Sequence, residues 1–459
     1  MCPVHASSLA PVLLSLLFVL KVHIAKLAVA HRLPIGRALD TMNRQTDQNK
    51  GTCMNIDKAV NLDDLRLLAK KRLPRIAFDF IEGGADDERC LARNRDAFQR
   101  YQLVPRYLVD VTTRNQSCTL LGRVYSSPFG ISPTGLAGLF RPNADLMLAA
   151  EAAAANIPYL MSSASTDSIE EAAKIAPHNT WFQIYGTRNE TINDDLVRRA
   201  KDAGIETLVL SIDVPVNSNR ERNRRNGFTR PLKMTPGIVL EAMGHPLWVI
   251  RYLRSGGMPM MKNWANYAPP GAPAGQVADM YGTLTPMPAM TWRSLERLRA
   301  MWTGKLVVKG ILHQQDAVMA MNVGVDGIIV SNHGGRQLDN MPSPVEMLPA
   351  IRSAVGEHVE LMLDSGVRRG TDVVTALCLG ARAVTFGRPT LYGAAAGGRA
   401  GVKKAIDIVR REIDIVMAQI GCTSLSELSP ARLHSGSAPD LRAVGHIAGY
   451  SLDAALQLD

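Results

Sequence analysis

Cysteine is scarce in this chain and scattered. The six thiols, Cys2, Cys53, Cys90, Cys118, Cys378 and Cys422, form no Cys-x-x-Cys and have no histidine at ligand spacing. That argues against a zinc site or a disulfide scaffold; no metal is expected, and a reducing cytosol suits the chain. No Gly-x-x-x-x-Gly-Lys-Ser/Thr occurs, which argues against a nucleoside triphosphate. The apolar run Leu9 to Leu20 is too short to span a bilayer securely and then meets Lys21, His23 and Lys26. It lacks the charged start of a signal peptide, although Ala28-Val29-Ala30 could mimic a cleavage site. Low-complexity tracts and repeats are missing too. With 459 residues there is room for one large α/β domain or two smaller ones.

What is present centres on one stretch. Gly327 to Val330 reads as a short buried strand, followed by Ser331-Asn332-His333-Gly334-Gly335-Arg336-Gln337-Leu338-Asp339. Histidine can take a proton near neutral pH, the glycines allow close approach, and Arg336 can grip a carboxylate. Alone, such a loop is as often structural as catalytic.

From Pro128 onward strands and helices alternate. Strand-like runs fall at Phe129–Ser132, Tyr159–Met161, Trp181–Ile184, Leu208–Ile212, Leu306–Val308, Gly327–Val330, Leu361–Leu363 and Val384–Phe386. With no Gly-x-Gly-x-x-Gly after the first, the pattern predicts an α/β fold of the closed (β/α)8 TIM-barrel type, preceded by a helical segment from Leu62 to Arg72. Polar residues stand where each run ends: Thr134, Ser162, Gln183 with Tyr185, Ser211 with Asp213, Lys309, Ser331 with His333, Asp364, and Gly387 with Arg388. Buried polar groups need partners, so eight such tips predict one shared polar site at the carboxyl end of the barrel.

The His333 segment resembles the signature of the FMN-dependent L-2-hydroxy-acid dehydrogenases and oxidases, and the likeness runs from about Asn55 to about Leu433. The resemblance implies FMN as cofactor. It places Pro133, Thr134 and Gly135 against the flavin ring, with Ser162, Gln183 and Ser211 on its polar atoms. Lys309 would lie at the N1–O2 edge, a salt bridge in the barrel mouth being its plainer role. Arg368 and Arg388 would hold the phosphate, Gly366 and Gly387 would allow close approach, and Ser331 and Asp364 would complete the wall. His333 is implied as the base, Asp213 as its partner, Arg220 and Arg336 as the carboxylate clamp, and Tyr185 as donor to the 2-oxygen. Phe80 stands where the family has a tyrosine reaching the substrate carboxylate, so one donor is gone. Gly135 (alanine in glycolate oxidase) and the stretches Asp364–Thr371, Leu391–Gly393 and Ala418–Cys422 resemble the mandelate-dehydrogenase branch. The implied activity is oxidation of an L-2-hydroxy acid, mandelate- or lactate-like, with electrons passing to a quinone. A peroxide-producing oxidase and a lapsed flavin-binding protein are the alternatives. Relatives imply a homotetramer.

Three stretches stand apart. Residues 1–53 read as an upstream extension without function, leaving a catalytic domain over 54–459. Residues 230–291 form a long loop after the fourth strand, and 234–285 resembles a membrane-contacting segment; a lid without lipid contact is the other option. A cytoplasmic protein, peripheral at the inner face of the cell membrane, would follow. Arg220, Arg222, Arg224, Arg225, Arg230 and Lys233 are set against one acid, Glu221. That patch reads as a solvated loop, an anion site or a membrane contact; nucleic acid is not expected, since only Phe228 interleaves. Gly393 and Gly401 read as close helix packing.

Overall fold

The computed structural model describes residues 55–228 and 235–435. The run Leu9–Leu20, the extension over 1–53, and Arg230 and Lys233 lie outside them. The chain divides between Asn55 and Ile56, and the second unit carries the barrel and its helices.

Helix α1 (Leu62–Arg72) buries Leu62, Leu65, Leu68 and Ala69, a stripe at helical spacing. The Asn61 side chain accepts from the Asp64 N–H at 2.8 Å. Asp63 and Asp64 in the first turn and Lys70, Lys71 and Arg72 in the last oppose the helix dipole. Helix α2 (Arg75–Glu82) stops at Gly83, and α3 (Arg89–Asp96) follows.

Eight parallel strands then close a barrel: β1 (Phe129–Ile131), β2 (Tyr159–Ser162), β3 (Thr180–Tyr185), β4 (Thr207–Ser211), β5 (Lys305–Ile311), β6 (Gly327–Val330), β7 (Glu360–Leu363) and β8 (Ala383–Phe386). Val384 pairs with Phe129 and Phe386 with Ile131, joining β8 to β1. All eight expected runs are strands. Nearly every position in them is buried, without in-out alternation, because helices cover the outside while side chains fill the inside. Leu160, Trp181, Val209, Val307, Ile329, Met362 and Ala383 pack inside with Cys118, Leu120 and Tyr125. The last three come from a hairpin, Cys118–Leu120 with Arg123–Tyr125. The Trp181 indole N–H donates to the Tyr125 hydroxyl at 3.2 Å, so the aromatic plug buries no unsatisfied indole. The hairpin stops the amino end of the barrel and leaves the carboxyl end for chemistry.

Helices α4 (Ala144–Ala155), α5 (Ile169–Ile175) and α6 (Glu190–Asp202) connect β1 through β4 in turn. After β4 comes α7 (Glu221–Arg225), and the expected long loop over 230–291 is, in its described residues, a helical insertion that holds α8 (Pro236–Met243), α9 (Pro246–Arg254), α10 (Lys262–Ala265) and α11 (Ala274–Leu284). Proline within the first turn starts α8 and α9, and Thr235 caps α8. The sequence displays the prolines but not that each begins a helix. The α10 turn is fastened to the barrel: Trp264 donates to Ser163 O at 3.1 Å, and Asn263 Oδ1 accepts from Ile169 N at 2.9 Å. Then come α12 (Trp292–Met301), α13 (Gln314–Val323), α14 (Pro344–Val355), α15 (Gly370–Cys378), α16 (Arg388–Gly397) and α17 (Arg399–Gln419). A Cβ on Gly393 would lie 2.3 Å from Gly401 O, so that pair is close packing of α16 on α17, as expected.

Candidate active site

One cavity opens at the carboxyl ends of the strands. Its wall includes Phe80, Pro133, Thr134, Gly135, Tyr185, Arg220, Lys309, His333, Arg336, Asp364, Gly366, Arg368, Gly387 and Arg388. Residues from both ends of the described chain therefore share one surface. The cavity is partly open to solvent. Ser162, Gln183, Ser211 and Ser331 are buried in the barrel mouth without lining the cavity.

At the centre, His333 Nδ1 lies 3.0 Å from Asp213 Oδ1. Two backbone features set that distance. His333 has φ +57°, followed by Gly334 at +66° and Gly335 at +72°. A left-handed non-glycine residue costs about 1–2 kcal/mol, and here the His333 N–H donates to Ser331 Oγ at 3.0 Å. Opposite, the β5–β6 register slips between Lys309 and Ile311. Gly310, at φ +112°, occupies that bulge, and a Cβ there would sit 2.7 Å from Asp213 Cβ. Only glycine lets β5 pass behind the carboxylate; nothing in the sequence singles it out.

The charges separate cleanly. Burial pushes the His333 imidazole below its ordinary pKa by more than Asp213 lifts it, and Lys309 and Arg220 push the same way. Burial would raise the Asp213 carboxyl, but the His333 and Lys309 charges and the His333 hydrogen bond outweigh it and hold it low. A neutral imidazole thus faces an ionised carboxylate. Lys309 has the salt bridge that was its plainer role: Nζ lies 2.9 Å from Asp364 Oδ2 and 2.6 Å from Ser331 Oγ. Burial works against its charge, yet Asp364 and then Asp213 hold its pKa up, so a cation stays in the barrel mouth.

The arginines turn on the end of α2. Arg336 Nη1 donates to Phe80 O at 2.9 Å and Gly83 O at 2.8 Å. Arg388 donates to Ile81 O at 2.9 Å and to Gly334 O and Gly83 O at 3.0 Å. Both cap carbonyls that the helix leaves without partners. Burial first, then Arg220 and Arg388, push Arg336 well below an arginine's ordinary value, a strain that an anion in the cavity would relieve. Arg220 donates to Gln337 Oε1 at 3.2 Å. Arg368 donates to Val367 O at 2.8 Å. The basic patch beyond Arg220 is less bare than the sequence implies. Arg222 pairs with Glu88 and lies 3.6 Å from Asp79, acids supplied by α2 and the loop before α3.

Phe80 joins an aromatic cluster. Its ring lies 4.7 Å from Phe228 and 6.1 Å from Phe140, with the Arg336 guanidinium 5.3 Å from its centroid. The insertion roofs the cavity with Met258, Met261, Ala278, Tyr281 and Thr285. Sequence reasoning misses all five, because no local pattern in the insertion marks which residues turn inward.

A planar polar ligand has atoms waiting for it. Thr134 Oγ1, Gln183 Nε2 and Ser211 Oγ are buried with no hydrogen-bond partner. Of the three, Thr134 lines the cavity, and its orphaned hydroxyl suits the carbonyl and nitrogen edge of an isoalloxazine. The α16 amino terminus opens at Gly387 on the same cavity, where a phosphate is favoured. The residues present fit FMN. Ser162 Oγ is engaged with Gln183 Oε1 at 3.0 Å and Ala164 N at 3.1 Å.

Residues 69–435 match the profile of the FMN-dependent dehydrogenase family. The chain is 41% identical to the (S)-mandelate dehydrogenase of Pseudomonas putida, over 86% of this chain and 98% of that one. It is 38% identical to an L-lactate oxidase of Nostoc sp., over 83% and 99%. The crystal structure of the monotopic membrane protein (S)-mandelate dehydrogenase superposes with a TM-score of 0.79 and 41% identity, over 82% of this chain and 99% of that one.

Proposed function

The chain belongs to the FMN-dependent dehydrogenase family, and from that premise we propose that it oxidises an L-2-hydroxy acid to the 2-oxo acid with His333 as the base. The pairing of His333 with Asp213 at 3.0 Å, inside the cavity mouth that also holds Lys309, supports this most directly. FMN, when bound, accepts the two electrons. Asp213 ties Nδ1, so Nε2 takes the proton released as C2 is oxidised, and the carboxylate then steadies the imidazolium. Arg220 and Arg336 receive the substrate carboxylate. Arg336 exchanges helix carbonyls for a full charge, a stronger partner. Tyr185, its ring centroid 6.3 Å from that of His333, donates to the 2-oxygen. Lys309, held cationic, favours negative charge arriving on the cofactor.

The wall of Phe80, Phe140, Phe228, Met258 and Met261 favours an apolar, bulky or aromatic side chain on the acid. Electrons then pass to a quinone. The 41% identical (S)-mandelate dehydrogenase supports the dehydrogenase reading. The oxidase reading has the Nostoc relative in its favour; oxygen consumption on adding substrate separates the two.

Peripheral membrane contact fits α8 and α9, which expose Leu240, Met243, Leu247, Ile250 and Leu253 beside Arg251 and Arg254. No helix among the described residues is long and apolar enough to cross a membrane. A homotetramer, checked by sedimentation velocity, completes the proposal. The deciding experiment is anaerobic: purified yellow protein should bleach on adding (S)-mandelate or L-lactate. Protein that stays yellow with every 2-hydroxy acid supplied sinks the proposal.

A further inference from the structure

We infer that the buried Asn94–Asn332 amide pair is a positioning device that aims His333 and couples its loop to the loop after β7. The two side chains are 2% and 1% exposed and bond reciprocally: Asn94 Nδ2 to Asn332 Oδ1 at 2.8 Å, and Asn332 Nδ2 to Asn94 Oδ1 at 2.7 Å. Asn332 immediately precedes the base. Its Oδ1 also accepts from Gly335 N at 3.2 Å, and its Nδ2 reaches Pro342 O at 3.1 Å and Cys90 Sγ at 3.2 Å. The left-handed run from His333 to Gly335 is therefore pinned from within by one amide, and that amide is fixed by a residue of α3.

The same helix sets the neighbouring loop. Ser365 and Gly366 are left-handed too, at φ +77° and +89°. A Cβ on Gly366 would fall 1.9 Å from Asn94 O, so the α3 backbone rests directly on this turn. Gly334 N donates to Ser365 Oγ at 3.0 Å, which joins the two loops. Five left-handed residues in two loops thus lean on one asparagine outside the barrel. A core needing only volume would place an apolar pair there, since buried amides cost free energy unless every group is satisfied. What the amides supply is direction.

This rests on His333 being the base, so His333→Ala is measured alongside. If that variant keeps near-normal turnover, the assignment of the base fails; if it is dead, the amide pair is judged on its own variants. In Asn94→Leu, with FMN saturation checked by flavin fluorescence, kcat should fall on the order of 10²-fold, the loss expected of a misaimed group. KM should change far less, and the acid limb of the kcat/KM profile should move. The double variant Asn94→Leu/Asn332→Leu removes the pair outright but also leaves Gly335 N and Pro342 O without their partner, so its melting temperature and its kcat should both stay below the parent's. A double variant with parental melting temperature and parental kcat overturns the inference. Should neither leucine variant fold, Asn94→Asp, which keeps the acceptor for Asn332 Nδ2, is measured the same way. A reduced kcat with a displaced acid limb supports positioning, and parental values for both refute it.

Discussion

The turn around His333 and the insertion between β4 and β5 make opposite use of their residues. Side chains at the ends of β4, β5, β6 and β7 hold one another within hydrogen-bond distance: Asp213 holds His333, and Lys309 holds Ser331 and Asp364. The backbone there is left-handed at three consecutive positions and has little freedom left. The insertion is fastened by side-chain bonds at Trp248, Trp264, Asn263 and Lys262, while α8 and α9 leave leucines in solvent. Chemistry needs atoms held to a fraction of an ångström, and only the interlocked barrel end can do that. A surface that meets substrate side chains, lipid or an acceptor needs shape and polarity, and a helical excursion can vary these without disturbing the strands.

If that contrast is right, substitutions at the barrel end should abolish chemistry and those in the insertion should redirect it. The largest effect is expected for His333→Ala. It should bind FMN and lose turnover by about 10²–10⁴-fold, the usual contribution of a general base; stopped-flow reduction of the flavin measures it. Next comes Gly310→Ala, whose Cβ would strike Asp213 at 2.7 Å. We expect roughly 10²-fold lower kcat from the displaced carboxylate, by the same misplacement principle, with FMN affinity little changed.

The pH profile sharpens the comparison. Because burial, before any other cause, holds His333 below its ordinary 6.5, kcat/KM should stay level as pH falls through 6.5 and drop only below it. Asp213→Asn removes the group that lifts the imidazole, so the acid limb should move further to low pH while kcat falls. The folded protein binds this proton more weakly than the unfolded chain does. The histidine's stabilising contribution is therefore complete above the unfolded value and is lost as pH falls.

Smaller effects are expected away from the imidazole. Phe80→Tyr restores a hydroxyl toward the Arg336 clamp. One hydrogen bond is worth ~0.5–1.5 kcal/mol, so kcat/KM should change by about two- to tenfold, most for small polar acids such as lactate. A panel of glycolate, lactate and mandelate reads it, and no change for any of them would remove Phe80 from the substrate site. The smallest effect on chemistry belongs to Leu240→Gln, Leu247→Gln and Leu253→Gln together. Vesicle flotation should show the triple variant released from membranes while anaerobic bleaching proceeds at the parental rate. Slower bleaching would mean the two regions are not separable.

Much of the barrel is legible in the sequence because short apolar runs bounded by polar tips are a local pattern, and all eight expected runs lie within strands or at their ends. The insertion is not. Its length suggests a loop, yet Pro236 and Pro246 each open a helix whose stability depends on packing that no local pattern reports. The basic patch misleads for a related reason: Glu88 and Asp79 lie far from Arg222 in the chain but beside it in space. Arg388 lines the cavity as expected but also caps α2, a duty invisible before the helix has a position.

By itself the sequence determined the alternation of strand and helix, the polar residue at each strand tip, and the motif around His333. Those follow from side-chain type and spacing along one stretch of chain. Tertiary structure alone decided that Asn94 holds Asn332, that Gly310 makes room behind the carboxylate, and that methionines of the insertion roof the cavity. Each joins residues whose separation in sequence says nothing of their distance. Only closure of the barrel, with its end loops folded against α2 and α3, brings them within a hydrogen bond or a van der Waals contact.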